Sequence, residues 1–260
     1  MQKNEKTVKW VVSDILTLTK RNLIRYTRIP QLLVFSSIQP VMFLLLFTYV
    51  FGGAIQVPGG GSYINYLIPG ILIQTVMFGA IQTGLGLAED LNKGLIDRFR
   101  SLPMARSAVL AGRTISDMIR NVFVVALMSG VGGLIGFRFQ QGWLHGIGAL
   151  LLAVLFGFAF SWVSAVIGLA VKNPETAQVA GFIWVFPLVF ASSAFVPVAS
   201  MPYGLRVFAE HSPITMTINT VRTLTLAGNP GDYIWQSLAW TAAILIIFVP
   251  IAVRLYRKSS

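Results

Sequence analysis

Residues 89–113 read EDLNKGLIDRFRSLPMARSAVLAGR. This is the most charged run in the interior of a chain that is otherwise mostly apolar. Long apolar segments flank it on both sides. Its charges are too costly to lie in lipid, so it forms a connection in water or at the membrane surface. The rest of the chain is organised around it.

Of the 260 residues, 55% are hydrophobic and 11% are charged. Mean hydropathy is +0.72. A soluble domain carries about 25% charged residues, so this is an integral membrane protein. The apolar runs are near-continuous rather than alternating, which favours helices over a barrel. The formal net charge is +11. In a soluble protein that would suggest nucleic acid. Here the basic residues flank apolar runs, so topology and anionic lipid account for them and no nucleic-acid partner is expected. There is no cysteine, which excludes disulfides and thiolate metal sites. No cleavable signal pattern is visible at the N-terminus.

Residues 1–30 hold Lys3, Lys6, Lys9, Lys20, Arg21, Arg25 and Arg28. At helical pitch Val12, Ile15, Leu16, Thr19, Leu23 and Tyr26 share one face, opposite Arg21, Arg25 and Arg28. An interfacial helix on the cytoplasmic leaflet fits this pattern. A helix packed on the protein's own surface fits it too. Pro30 ends the helix either way.

Six apolar segments follow, at about 31–51, 63–88, from beyond Arg113 to 137, 143–171, 176–198 and 233–253. The first is long enough to cross a bilayer, roughly 30 Å at helical rise. With the N-terminus inside, six spans return the C-terminus inside, and 17 of the 20 basic residues are cytoplasmic. Only Arg138, Arg206 and Arg222 fall outside. The reverse orientation violates the positive-inside rule. The expected fold is all-α and integral to the plasma membrane, with both termini cytoplasmic.

Residues 199–232 connect the last two spans. Ile214, Ile218, Val221 and Leu224 recur at helical spacing, as do Leu205, Phe208 and Ala209 in a shorter piece. Two short helices dipping into the outer leaflet, or two resting on it, both fit. In the fourth span Ala153, Gly157, Ser161 and Ala165 form a small-residue ridge for close helix approach, and Gly132 and Gly136 form a further pair in the third.

Chemistry of several kinds is missing. There is no P-loop, no zinc-hydrolase motif and no nucleophile elbow. As drawn, the six cores hold no carboxylate, which a proton- or sodium-coupled carrier needs. Asp117 is the nearest, and it reads as a partner of Arg113 or Arg120. The chain therefore carries no catalytic group and binds no cofactor or metal. Uphill transport would draw energy from a partner. The coupling point is the central run: Leu91, Leu95, Phe99 and Leu102 share one face, and Glu89, Asp90, Lys93, Asp97, Arg98 and Arg100 offer polar contacts. Gly94 lies within the run and Pro103 stops its helix. A short amphipathic helix seated in a soluble partner transmits motion. A charged loop that merely anchors topology is the simpler alternative.

The run EDLNKGLIDRFRSLPMARSAVLAGR resembles the signature of type-2 ABC exporter permeases. Its part DRFRSLPMARSAVLAGR is close to the daunorubicin-resistance permease subfamily. The resemblance extends through NPETAQVAGFIWVFPLVFASSAFVP and AEHSPITMTINTVRTLTLAG. It implies residues 1–30 as a cytoplasmic tail and connecting helix, and 31–260 as a six-helix transmembrane domain. It also implies a coupling helix between spans two and three and re-entrant helices between spans five and six. Two ATP-binding cassette subunits, carrying ATP and Mg, would pair with two permeases, the second an identical copy. The implied cargo is a hydrophobic or amphiphilic compound such as a drug, antibiotic or lipid, moved along a path between the copies. Candidate path residues are Gln39, Gln74, Phe78, Gln82, Phe186 and Phe190. Each phenylalanine could equally pack against lipid or protein. Export of a lipid-linked polysaccharide and a self-powered secondary carrier are the competing readings.

Overall fold

The computed structural model describes residues 2–29, 31–55, 57, 61–95, 106–226, 228–229 and 231–258. Pro30, Pro230 and residues 96–105 of the coupling run lie outside them. Within the described residues the chain is helical throughout: α1 Gln2–Arg28, α2 Gln31–Leu46, α3 Tyr63–Asn92, α4 Arg106–Leu134, α5 Trp143–Val171, α6 Pro174–Phe190, α7 Tyr203–His211, α8 Pro213–Thr225 and α9 Gly231–Lys258. A π-helical turn, Phe47–Phe51, extends α2. Among the described residues, four helices are long and apolar enough to cross a membrane: Tyr63–Asn92, Ala108–Leu134, Trp143–Val171 and Gly231–Lys258. Two shorter apolar helices, Ser36–Phe51 and Pro174–Phe190, accompany them.

α3 is the axis of the bundle, and residues on all its faces are buried. It packs most extensively on α5, and then on α6 and α4. Small residues set these distances. A Cβ on Gly168 of α5 would lie 2.1 Å from the Gly84 carbonyl oxygen of α3, and one on Gly157 would lie 2.6 Å from Val76 Cβ. The small-residue ridge of the fourth span is thus used within the chain, where backbones must approach closely. Gly132 likewise packs on Ile68, but Gly136 does not join it. It lies beyond the end of α4 at φ 112°, a turn position that glycine adopts freely.

The α5–α6 corner follows from its sequence. Lys172 turns out of α5 in the left-handed region (φ 61°). Asn173 Oδ1 then accepts from Thr176 N at 3.1 Å, and Pro174 opens α6. A polar N-cap followed by proline at the first helical position is the favoured start of a helix. Ser212 and Pro213 start α8 in the same way.

Two boundaries differ from expectation. α4 begins at Arg106, before Arg113, so Arg113, Asp117 and Arg120 all lie within the span Ala108–Leu134. That span therefore does contain a carboxylate, and Asp117 is fully buried. α6 stops at Phe190, eight residues short of Val198, with Pro187 in its last turn. The unwound backbone that follows is satisfied by side chains: Tyr66 Oη donates to the Ser193 carbonyl (3.0 Å), Tyr63 Oη to that of Phe195 (3.0 Å), and Arg222 Nη2 to Ser193 (2.8 Å). Irregular backbone among apolar helices persists only where the protein supplies such partners.

α8 is embedded between α3, α5 and α9, with Ile214, Ile218 and Val221 fully buried, whereas most of α7 is exposed. α1 docks on α4 through Leu18, Thr19 and Asn22, and Leu18 Cβ would be 2.7 Å from a Cβ on Gly112. Of the expected apolar face, Thr19 is buried, whereas Val12 and Leu16 are exposed together with Trp10.

Candidate functional site

The charged end of α3 is tied to α1. Arg25 Nη2 donates to Glu89 Oε2 at 3.1 Å, and Lys93 Nζ lies 3.6 Å from the same oxygen. Asp90 faces Arg21 at 4.0 Å. Gly94, at φ 65°, turns the chain out of the helix. Thus Glu89 and Asp90 hold the amphipathic helix against the bundle. Asp97, Arg98, Phe99, Arg100, Leu102 and Pro103 lie outside the described residues.

Above this tie, α3 and α4 present a matched pattern. Arg113 and Arg120 are seven residues apart on α4, and Gly86 and Gly79 are seven apart on α3. The two helices run antiparallel, so each arginine meets a glycine. Arg113 Nη2 donates to the Gln82 carbonyl (3.2 Å) where a Cβ on Gly86 would be 1.9 Å from that nitrogen. Arg120 Nη2 donates to the Gly79 carbonyl (2.7 Å) and to Asn121 Oδ1 (3.2 Å), again where a Cβ on Gly79 would intrude. The glycines leave room for guanidinium groups between helices that otherwise pack tightly.

Asp117 organises the lower half of this seam. It accepts from Tyr26 Oη (2.6 Å), Thr83 Oγ1 (2.7 Å) and Arg113 Nε (3.2 Å), linking α1, α3 and α4. The Arg113 partnership expected from the i, i+4 spacing is present. Burial, and after it the Asp117 carboxylate, push the Tyr26 phenol up to about 12, so it remains the donor at neutral pH. Arg120 stacks over the Tyr26 ring at 5.9 Å.

A cavity of about 300 Å³ opens beside this seam, lined by α1, α2, α3 and α4, with Glu89 and Arg25 at one end. Ser36, Gln39, Gln82 and Arg120 also line a narrower chamber of about 50 Å³, so the two adjoin. The inner chamber holds Gln74, Thr75, Phe78, Gly79 and Asn121 as well. Four of the six residues expected on the path, Gln39, Gln74, Phe78 and Gln82, therefore meet in one cavity. Phe186 and Phe190 do not line it. Phe186 meets the Phe78 ring edge-on (6.3 Å) and stacks on Phe190 (4.3 Å). The aromatic series continues through Phe195 (4.9 Å) to Phe47 (4.4 Å). Arg120 and Asn121 were not expected as lining residues. The signal was present in the paired seven-residue spacing of arginines and glycines.

The model of the ABC-2 type transporter family matches residues 13–226. The chain is 34% identical to the daunorubicin resistance ABC transporter permease protein DrrB1 of Streptomyces coeruleorubidus, over 96% of this chain and 88% of that one. It is 26% identical to a probable doxorubicin resistance ABC transporter permease protein, DrrC, of Mycobacterium tuberculosis, over 99% and 93% of the two chains. It is also 26% identical to a putative transport permease, ycf38, of Cyanophora paradoxa, over 82% and 74%. The chain therefore belongs to the ABC-2 type transporter family, as the membrane permease component whose ATP hydrolysis is performed by a separate ATP-binding subunit.

Proposed function

We propose that the chain is the permease of an ATP-driven exporter that moves hydrophobic or amphiphilic compounds, drugs and antibiotics among them, out of the cell. The membership just described and the resistance functions named for two relatives support this reading. The observation that carries it is the joined cavity beside α3, where four separately expected polar and aromatic residues converge.

In this reading α2, α3, α4, α5, α6 and α9 are the six spans, and both termini lie in the cytoplasm of a plasma-membrane protein. The charge distribution supports that orientation. α1 is the interfacial connecting helix, and its exposed Trp10 and Leu16 suit a lipid surface. α7 and α8 are the outer re-entrant pair, to which the burial of α8 lends support. Two identical permeases pair with two ATP-binding subunits. Residues 89–103 seat in the ATP-binding subunit, with Asp97, Arg98, Phe99, Arg100, Leu102 and Pro103 as contacts. ATP closes the ATPase dimer and moves this segment. Through the Arg25–Glu89 and Tyr26–Asp117 ties, α1 and α4 follow. Gln39, Gln74, Phe78, Gln82, Phe186 and Phe190 line the route of the solute.

Gentle purification from native membranes tests the assembly. A Walker-containing subunit with ATPase activity is expected to accompany the chain, and Asp97→Arg or Leu102→Glu is expected to release it. A chain that purifies alone, with those substitutions silent, overturns the proposal.

A further inference from the structure

Arginine in a membrane span is costly unless its charge is used. Arg120 lies about 18 Å along α4 from Ala108 at helical rise, near the middle of the span. The other cations around the cavity are matched: Arg25 pairs with Glu89 and Arg113 with Asp117. Arg120 has no carboxylate within ion-pair distance among the described residues. Its Nη2 is held by the Gly79 carbonyl and Asn121, and its Nε and Nη1 donate to no described residue. A guanidinium has five N–H donors, so three remain for a ligand.

Two further groups at this point lack partners. Gln74 Oε1 and Asn121 Nδ2 are buried without a hydrogen bond, although each residue is only 2% exposed. Asn121 is oriented by Arg120, which donates to its Oδ1 and leaves Nδ2 as the unpaired end, beside Gly157 of α5. Both residues line the same 50 Å³ chamber as Arg120. A buried polar atom left unpaired costs about 1–3 kcal/mol. These two side chains line one chamber with the free N–H groups of Arg120, and together they describe a built site. The chamber has room for one small polar head, and it opens into the larger cavity, which can receive the body of a molecule. Among the described residues, no carboxylate lines it to hold a cation.

We infer that the chamber between α3 and α4 binds the acidic head, carboxylate or phosphate, of an amphiphile through Arg120, Asn121 and Gln74. This deepens the exporter reading by assigning a charge class to the solute, and it rests on that reading for the ligand being cargo. The acid accepts from the free N–H groups of Arg120 and from Asn121 Nδ2. Gln74 receives a protonated oxygen, or turns its amide to donate. A cationic amphiphile meets like charge at the same point.

The test uses the full chain in nanodiscs of zwitterionic phosphatidylcholine, without ATP. Equilibrium binding is measured for dodecyl phosphate and for dodecyltrimethylammonium, which share a tail and differ in head charge. Dodecyl phosphate is expected to bind and the cation to bind at least about tenfold more weakly. Arg120→Gln is expected to weaken dodecyl phosphate about tenfold or more, as for lost hydrogen bonds to a charged group. Arg120→Lys restores part of the loss, and Asn121→Leu weakens binding with the charge intact. Adding phosphatidylglycerol to the discs distinguishes the two sources of an acidic head. Displacement of dodecyl phosphate by that lipid assigns the site to a bilayer phospholipid, and continued binding assigns it to a single-chain solute. Equal binding of the two probes overturns the inference, as does indifference of dodecyl phosphate to all three substitutions. Because no ATP is used, failure of the exporter reading shows separately, as loss of the ATP-binding subunit on purification.

Discussion

Replacing Asp117 by asparagine removes one charge and leaves its shape. Asp117 is fully buried and accepts three hydrogen bonds, from Tyr26, Thr83 and Arg113, at 2.6, 2.7 and 3.2 Å. Asparagine can keep its carbonyl toward Tyr26. Its amide then faces Thr83, whose hydroxyl can turn to accept, and Arg113 Nε–H, which cannot. The Arg113 charge is left buried without its hydrogen-bonded carboxylate, beside that of Arg120. Breaking a buried ion pair from one side costs about 3–5 kcal/mol. The cavity of about 300 Å³ next to Arg113 is large and polar enough for water, so the lower end applies, about 3 kcal/mol. Arg113→Gln with Asp117→Asn removes both charges and should cost less than the sum of the single changes, by about 2 kcal/mol of coupling. Reversible unfolding of the four proteins in mixed micelles measures the cycle. An Asp117→Asn variant within about 0.5 kcal/mol of the parent, or strict additivity, would refute the reasoning.

The Tyr26→Phe change removes the 2.6 Å bond and should loosen α1 by about 1–3 kcal/mol, seen as faster protease access to α1. The Tyr26 pKa is raised from 10.0 to about 12, so the folded state holds this proton more tightly. The contribution should stay constant below about pH 10 and fade as pH rises towards 12, and Tyr26→Phe should lose that pH dependence. Gly168→Ala places a methyl group 2.1 Å from the Gly84 carbonyl, backbone against backbone, and should cost about 1–3 kcal/mol in the same unfolding assay. Gly148→Ala, on the same helix with open space around it, should be neutral or slightly stabilising.

Helix positions were legible because long apolar runs and polar punctuation coincide. The corner between α5 and α6 was legible as the break in the apolar runs at 172–175, although α6 begins inside it, at Pro174. The early end of α6 was not legible. Its apolar run continues past Pro187, and what permits unwinding is distant: Tyr63, Tyr66 and Arg222 supply donors to that backbone. The start of α4 was misread for a related reason. Arg113 was taken as the end of the charged run, whereas its pairing with Asp117 across the i, i+4 spacing lets both enter the bundle. The polar half of the cavity was legible from glutamines inside spans. Arg120 and Asn121 were missed because their role depends on the two glycines of α3 facing them, a pairing visible only when the helices are set antiparallel.

The central claim is that ATP bound elsewhere drives solute past this chain. The most direct measurement is flux of fluorescent amphiphiles with negative, neutral and positive heads into inside-out vesicles carrying the chain and its ATP-binding subunit. The account predicts accumulation only with ATP and both subunits together, lost on Asp97→Arg. Accumulation by the chain alone, driven by an ion gradient without ATP, would contradict it.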